Sequence, residues 1–116
     1  MSGLKINVDD SHGDVVCIEL DGYLDARTFE KFEDSLELLF QRSKYRIMVD
    51  LHKLRYISSA GAGVFIGSLG TCQDNQGNIA LIRPTPEVKE IFDLLGVLHI
   101  FPTTESTEEA LSILAG

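Results

Sequence analysis

The chain begins with two short segments whose hydrophobic pattern is that of β-strands. Apolar and polar residues alternate over residues 4–9, which is the period of a strand with one buried face. A second apolar segment, residues 15–20, follows the turn-like sequence Asp-Ser-His-Gly at 10–13. The two segments are therefore predicted to form a hairpin.

The middle of the chain alternates helical patterns with short apolar strands. Asp25 is placed to cap a helix whose apolar residues recur at three- and four-residue steps, at Phe29, Phe32, Leu36, Leu39 and Phe40. The run RIMVDL at 46–51 is typical of a strand buried on both faces. A second helix is expected from the Ser-Ser pair, Ser58 and Ser59, to about residue 74, followed by a turn and a strand over 78–82.

The next segment has clear signals for the start and the end of a helix. Thr85 is expected as the cap, Pro86 lies in the first turn and Gly96 follows the end. The inner face of this helix is predicted to carry Val88, Ile91, Phe92 and Leu95. A last strand is expected over residues 98–101.

The C-terminal segment completes the predicted order of elements. Ser106 and Glu109 have the spacing of a capping box, and the helix that follows carries Ala110, Leu111 and Leu114. The order β-β-α-β-α-β-α-β-α predicts an α/β fold. Its sheet is mixed, mainly parallel and of about five strands, with about four helices packed against it.

Composition limits the classes of partner and the size of the fold. At 116 residues with 44% apolar content, residues 1–116 fit a single domain with its own core. The formal net charge of −8 makes nucleic acid and anionic membranes poor partners. Residues 56–73 carry no charge, but too few of them are large and apolar to span a membrane.

The termini and the cysteines predict a cytoplasmic protein without metal or cofactor. The N-terminal sequence MSGLKINVDD lacks the basic patch and apolar run of a secretory signal. Cys17 and Cys72 have apolar neighbours and no metal-ligand spacing to a histidine. We therefore expect both to be small core residues of a protein in a reducing compartment.

The spacing of residues in the Ser-Ser segment argues against two kinds of site, a dinucleotide-binding loop and a serine-hydrolase nucleophile. The glycines that follow it have the pattern G-x-G-x-x-x-G, and residues 51–60 separate them from the preceding strand, so a dinucleotide fingerprint is not expected. A serine hydrolase would need a Gly-x-Ser-x-Gly elbow, which is absent, and only His52 follows a strand that ends near the serines. No catalytic residue and no enzymatic activity are predicted.

The helix after the serines is unusually rich in glycine. Each of its four glycines costs about 0.8–1 kcal/mol relative to alanine in a helix interior. At 100° per residue, one face collects Ala62, Phe65, Ile66, Leu69 and Cys72, which is the predicted core side. Ser59, Gly63, Gly67 and Gly70 fall on a neighbouring flank, hereafter the glycine flank. Such a flank allows close approach of either another helix of the domain or a partner protein.

Several motifs resemble one bacterial family. The run YISSAGAGVFI at 56–66 resembles the phosphorylation-site motif of the STAS domain, the fold of anti-sigma factor antagonists. The runs DGYLDA at 21–26 and MVDL at 48–51 are similar to that family's G-x-L-D turn and its hydrophobic strand ending in Asp-Leu. The resemblance covers essentially the whole chain, including its size and the order of its elements.

The resemblance implies that the chain is a substrate and a binder, with Ser59 as phosphoacceptor. The implied partners are a serine kinase that doubles as the anti-sigma factor, and a metal-dependent serine phosphatase that reverses the modification. Unphosphorylated chain would bind the kinase and release a sigma factor. The implied partner-binding residues are Asp25, Ser58, Ser59, Gly61, Ala62, Gly63 and Gly67.

Other functions of the same fold remain open at this point. The chain could be a non-switching scaffold subunit of a stress-signalling or transporter-associated complex. It could also bind a small ligand beside the Ser-Ser loop. From the residues alone, one of the two serines is expected to cap the helix that follows.

Overall fold

The computed structural model describes residues 3–115 and orders them as six strands and four helices. The bounds are β1 (Leu4–His12), β2 (Val15–Leu24), α1 (Phe29–Gln41), β3 (Arg46–Asp50), β4 (Leu54–Ile57), α2 (Ser59–Asp74), β5 (Asn78–Ile82), α3 (Pro86–Leu94), β6 (Thr103–Thr104) and α4 (Thr107–Ala115). The predicted α/β class and the mixed, mainly parallel sheet are thereby confirmed.

The sheet is organised around β2, its longest strand. The order is β1-β2-β3-β5-β6, in which β1 and β2 form the predicted antiparallel hairpin and the other pairs are parallel. The first half of β2 pairs with β3, and its last residues pair with β4, where Leu24 lies opposite Ile57. This pairing brings the carboxyl ends of β2 and β4 to the same place.

Helices cover both faces of the sheet. Alternate strand residues such as Ile47 and Val49 join the main core with α1, α2 and α3, whereas Met48 and Ala80 face α4 in a smaller second cluster. Phe65 of α2 lies at the centre of the main core. Its ring centroid is 5.0 Å from that of Phe32 and 5.4 Å from that of Phe92.

The predicted helix ends of the second half are confirmed. Thr85 precedes α3, and its hydroxyl accepts from the backbone N–H of Val88 at 3.3 Å. Gly96 follows this helix with a φ of +72°, a conformation that glycine adopts without strain. Ser106 accepts from the backbone N–H of Glu109 at 3.2 Å before α4.

The strand predictions contain one omission and one error. β4 was not predicted, because it has only four residues and its two central ones, Arg55 and Tyr56, are both exposed, so it lacks alternation. Residues 98–101 were predicted as a strand, but Leu98–Ile100 is a short 3-10 helix and the last strand is Thr103–Thr104. In this 3-10 segment the backbone N–H groups bond locally: Ile100 donates to the carbonyl oxygen of Val97, and Phe101 donates to that of Leu98.

The predicted inner faces of α2 and α3 each contain one error. Ile66 is 38% exposed and Leu95 is 42% exposed, although both were assigned to the core. In α2 the buried residues include Val64 and Ser68, which lie on the side facing α1, whereas Ile66 lies on the exposed side. Leu95 lies one residue beyond the end of α3, as its C-cap residue, outside the part of the helix that packs on the core.

We expect neighbouring substitutions in α2 to differ sharply in their cost. Phe65→Ala would lower the free energy of unfolding by about 3–5 kcal/mol, because it leaves a cavity between buried rings. Ile66→Ala, on the exposed side, would cost less than about 1 kcal/mol. Urea denaturation of the two variants measures the difference. Equal losses in the free energy of unfolding would contradict the observed burial of Phe65 and exposure of Ile66.

Candidate functional site

The two serines of the Ser-Ser pair have different structural roles. Ser58 has an extended backbone and precedes α2, and its hydroxyl accepts from the backbone N–H of Gly61 at 3.2 Å. Ser58 also donates its own backbone N–H to the carbonyl oxygen of Leu24 at 2.9 Å. Ser58 is therefore the helix cap, while Ser59 is the first residue of α2 and is exposed to solvent.

Gly61 sets how closely α2 approaches the sheet. A Cβ atom added at Gly61 would lie 2.7 Å from Cγ of Leu24, 2.9 Å from its carbonyl oxygen and 3.1 Å from Cγ1 of Ile57. Only glycine lets the first turn of α2 rest on the paired ends of β2 and β4. At this position the close packing is therefore with the chain's own sheet and not with a partner protein.

The other three glycines of α2 have the opposite environment. Apart from the adjacent residues and the backbone of α2 itself, a Cβ added at Gly63, Gly67 or Gly70 would meet no atom of the described chain within 4 Å, and all three residues are exposed. Close packing against another helix of this chain, one of the two explanations left open by the sequence, is thereby excluded for these positions. The glycine flank is an open surface that starts at Ser59 and runs beside the exposed Ile66.

Two of the residues predicted to bind a partner lie behind this surface. Ala62 is fully buried, and Gly61 is buried against β2 and β4. The expectation that they form part of the contact surface itself is wrong, because their positions on α2 point to the core. They shape the surface by holding the helix in place.

Asp25 lies beside the start of α2 but does not cap α1 as predicted. α1 begins at Phe29, and the residue before it is Thr28, which makes no side-chain capping bond. The Asp25 carboxylate instead accepts from the backbone N–H of Arg27 at 2.9 Å, which holds the pKa of this carboxyl below its usual range. Because Leu24 pairs with Ile57, the residues that follow them, Asp25 and Ser58, are neighbours.

A second polar cluster, at the carboxyl ends of β3 and β5, was not predicted from the sequence. Asp50 is buried, accepts from Arg83 at 2.9 Å and lies 2.8 Å from Nδ1 of His52. Burial alone would raise the pKa of Asp50, but the hydrogen bonds from His52 and Arg83 outweigh it and hold the pKa below its usual range. The left-handed backbone of Arg83, with φ of +49°, aims its side chain at this carboxylate.

The Asp50 cluster has the residue types of a metal site but already contains a cation. One ligand atom from each of Glu19, Asp50 and His52 lies within 4.8 Å of the others. The guanidinium of Arg83 contacts Asp50 and lies 3.2 Å from Nδ1 of His52. The charge of Asp50 is therefore balanced by Arg83, and we read the cluster as structural.

The two cysteines are free thiols, one buried and one half-buried. Burial raises the pKa of Cys72 to about 12 and that of Cys17 to about 11. Both thiols are thus protonated at neutral pH. Cys72 lies in the main core as predicted, whereas Cys17 is half-buried and packs against the smaller second cluster. No helix of the described residues is long and apolar enough to cross a membrane.

Comparison with known proteins assigns the class of this fold. The family model for the STAS domain matches residues 6–110. The solved structure of unphosphorylated SpoIIAA, an anti-sigma factor antagonist, superposes with a TM-score of 0.82 at 24% identity, covering 94% of this chain and 95% of that one. The phosphorylated form of SpoIIAA from Bacillus superposes with a TM-score of 0.76 at 23% identity, covering 94% of this chain and 98% of that one.

The chain belongs to the STAS domain family. It is 32% identical over 107 residues to BtrV of Bordetella bronchiseptica, a proposed anti-sigma factor antagonist, covering 92% of this chain and 91% of BtrV. It is 26% identical over 106 residues to the anti-sigma-B factor antagonist of Staphylococcus epidermidis, covering 90% of this chain and 98% of that protein.

Alanine substitutions of the glycines of α2 should change the free energy of unfolding in opposite directions. Gly63→Ala, Gly67→Ala and Gly70→Ala would each raise the free energy of unfolding by about 0.5–1 kcal/mol, because the new methyl group meets only solvent and helix propensity improves. Gly61→Ala would lower it by about 1–3 kcal/mol through the clash with Leu24. Chemical denaturation measures these changes, and a stabilising Gly61→Ala would refute the close contact.

The Asp50 cluster should make stability depend on pH in one direction. Because the folded pKa of Asp50 lies below its unfolded value of about 3.9, its contribution is present above that value and is lost as pH falls through the folded pKa. Asp50→Asn would cost roughly 1–2 kcal/mol at pH 7 and progressively less below about pH 4.

Asp10→Asn is the control for this pH dependence, because Asp10 forms only an exposed ion pair with Arg42 at 3.2 Å. Its free energy of unfolding should stay close to that of the unmodified chain at every pH. Denaturant titrations between pH 3 and pH 7 compare the two variants, and a cost of Asp50→Asn that does not change with pH would contradict the assignment.

Proposed function

We propose that this chain is an anti-sigma factor antagonist controlled by phosphorylation. Unphosphorylated, it binds a serine kinase that is also the anti-sigma factor, and so releases a sigma factor. Phosphorylation of Ser59 by that kinase weakens the complex, and a metal-dependent serine phosphatase restores binding. The chain itself acts as substrate and binder in this cycle.

The observation that carries the proposal is the exposure of Ser59 at the end of an open, glycine-lined surface. Ser59 heads the glycine flank, and no other part of the described chain fills the space beside Gly63 or Gly67. Ser58 directly precedes Ser59, and Asp25 directly follows Leu24, whose carbonyl oxygen accepts from the Ser58 backbone N–H. The proposed contact surface comprises Asp25, Ser58, Ser59, Gly63 and Gly67, with Gly61 and Ala62 supporting it from behind.

The location of Ser59 explains how one modification could switch binding without refolding the domain. A phosphate adds about −1.5 to −2 charges at neutral pH. The N-terminus of α2 tolerates an anion, because its free N–H groups and dipole favour negative charge, and its first turn has no acidic residue. The free domain therefore keeps its fold when it is modified.

The complex, in contrast, would lose affinity. A phosphate buried at the interface without an opposing cation costs several kcal/mol, and about 3 kcal/mol already corresponds to more than a hundredfold in affinity. The names of the relatives support this reading, since they are anti-sigma factor antagonists, and SpoIIAA has been solved in phosphorylated and unphosphorylated forms.

The test uses the purified serine-kinase/anti-sigma protein encoded in the same genome. After incubation with ATP, mass spectrometry should locate phosphate on Ser59 and on no other residue. Calorimetry should show that Ser59→Ala binds like the unmodified chain and that Ser59→Asp binds at least tenfold more weakly, since one added carboxylate carries less charge than a phosphate.

Ser112→Asp is the matched control, because it adds the same charge to an exposed position of α4, on the other face of the sheet. This variant should bind like the unmodified chain. Phosphate on another residue, or equal affinity of Ser59→Ala and Ser59→Asp, would contradict the proposal. An unmodified chain in a stable, large complex would instead favour the scaffold function.

A further inference from the structure

A groove between α1 and α2 continues from the glycine flank. Its volume is about 460 Å³, and on the α2 side its lining begins at Gly63, one helical turn after Ser59, and extends to Thr71. At 1.5 Å per residue this lining is about 12 Å long. It is long enough for about two turns of a helix from another molecule.

The two walls and the floor of this α1–α2 groove differ in chemistry. The α1 wall carries the exposed carboxylates of Glu33, Asp34 and Glu37. The α2 wall is formed largely by the open side of Gly63 and Gly67, so a second backbone can come close. The floor contains buried apolar residues, among them Leu36 and Val64.

The carboxylates of the α1 wall have no counterion in the structure. Within residues 3–115, no ion pair involves Glu33, Asp34 or Glu37. Lys31, the basic residue of α1, donates its Nζ to the carbonyl oxygen of Leu4, and α2 has no basic residue. Like charges three and four positions apart on a helix repel each other, so this wall favours an approaching cation.

Ser68 places an unpartnered polar group on the floor of the groove. It is a floor residue of the groove and is 9% exposed, yet its hydroxyl makes no hydrogen bond with any residue that the structure describes. No fully buried side-chain oxygen or nitrogen among these residues lacks a partner, so the Ser68 hydroxyl must reach the groove. Solvent reaches this hydroxyl in the free chain, so a molecule that enters the groove can replace water as its hydrogen-bond partner.

We propose that the α1–α2 groove receives a basic, amphipathic helix of the anti-sigma partner. Its Lys or Arg side chains would face the carboxylates of α1, its apolar residues would lie against Gly63, Gly67 and the half-buried Phe40, and one polar group would bond to Ser68. This inference rests on the proposed function for the identity of the partner. Nucleic acid does not fit an acidic wall, and a second copy of this chain, with a net charge of −8, lacks the complementary charge.

The groove and the phosphorylation site act at different points of the same surface. The lining of the groove starts one turn beyond Ser59, about 6 Å along the helix axis. Attraction at the α1 wall would therefore add affinity and raise the association rate, while the charge at Ser59 decides whether the N-terminus of α2 can be covered. The two contributions can be removed separately.

The test measures binding of the purified serine-kinase/anti-sigma protein by calorimetry at low and at physiological salt. The groove variant combines Glu33→Gln, Asp34→Asn and Glu37→Gln, and should bind at least tenfold more weakly with a smaller dependence on salt. The matched control removes the same charge elsewhere, through Asp14→Asn, Glu105→Gln and Glu108→Gln on the exposed hairpin turn and around α4. It should bind like the unmodified chain.

Ser68→Ala is a second, milder variant for the same groove. Its free chain should be at least as stable as the unmodified one, because the hydroxyl has no partner there, while its affinity should fall severalfold. Thermal melts establish that each variant is folded before binding is measured. Unmodified affinity and salt dependence in the groove variant, or unmodified affinity in Ser68→Ala, would overturn the proposal.

The outcomes separate this inference from the proposed function. If Ser59→Asp weakens binding and the groove variant does not, the groove is refuted and the phosphorylation switch stands. If the groove variant weakens binding and neither Ser59→Asp nor phosphorylation does, the switch is refuted and the groove stands. Absence of any binding by the unmodified chain would refute both.

Discussion

The contact between Gly61 and the end of β2 is the constraint on which the arrangement of the site depends. With no side chain at position 61, the first turn of α2 lies directly on Leu24 and Ile57, the residues that pair β2 with β4. The same contact is reinforced by the hydrogen bond from the Ser58 backbone N–H to the Leu24 carbonyl oxygen at 2.9 Å. It points Ser58 inwards as the cap of α2, while the next residue, Ser59, is exposed.

The stability of α2 comes from packing on one side, which leaves its other side free for binding. Phe65 and the buried residues around it hold the helix against the sheet and against α1 and α3. The helix can therefore carry Gly63, Gly67 and Gly70 on its exposed side despite their low helix propensity. These three glycines have no packing role within the described chain, and the proposed partner would approach the backbone along their open surface.

Sequence patterns predicted the long elements well because each has a clear period or a clear cap. The stripe of α1, the apolar run of β3 and the Thr85 cap of α3 were all found in the structure. β4 was missed because a short strand with adjacent exposed residues has no period, and residues 98–101 were misassigned because their apolar composition does not exclude local turns. Asp25 was misplaced because turn residues separate it from the helix that it precedes.

The site was predictable in outline, since periodicity placed Ser59 with three glycines, but which glycine packs internally depends on tertiary contacts. Periodicity also assigned Ile66 to the core, whereas in the structure Val64 and Ser68, on the side facing α1, are buried and Ile66 is exposed. The pairing of Asp50 with Arg83 was not predictable, because the two residues lie 33 positions apart and meet only through sheet register.

The most direct test of the account is a map of the partner's footprint on the labelled chain by NMR. On addition of the serine-kinase/anti-sigma protein, the amide resonances of Ser59, Gly63, Gly67 and Gly70 should shift, while those of α4, on the other face of the sheet, should not. Shifts confined to α4 or β1, with the glycine flank unchanged, would contradict the claim that this flank is the binding surface.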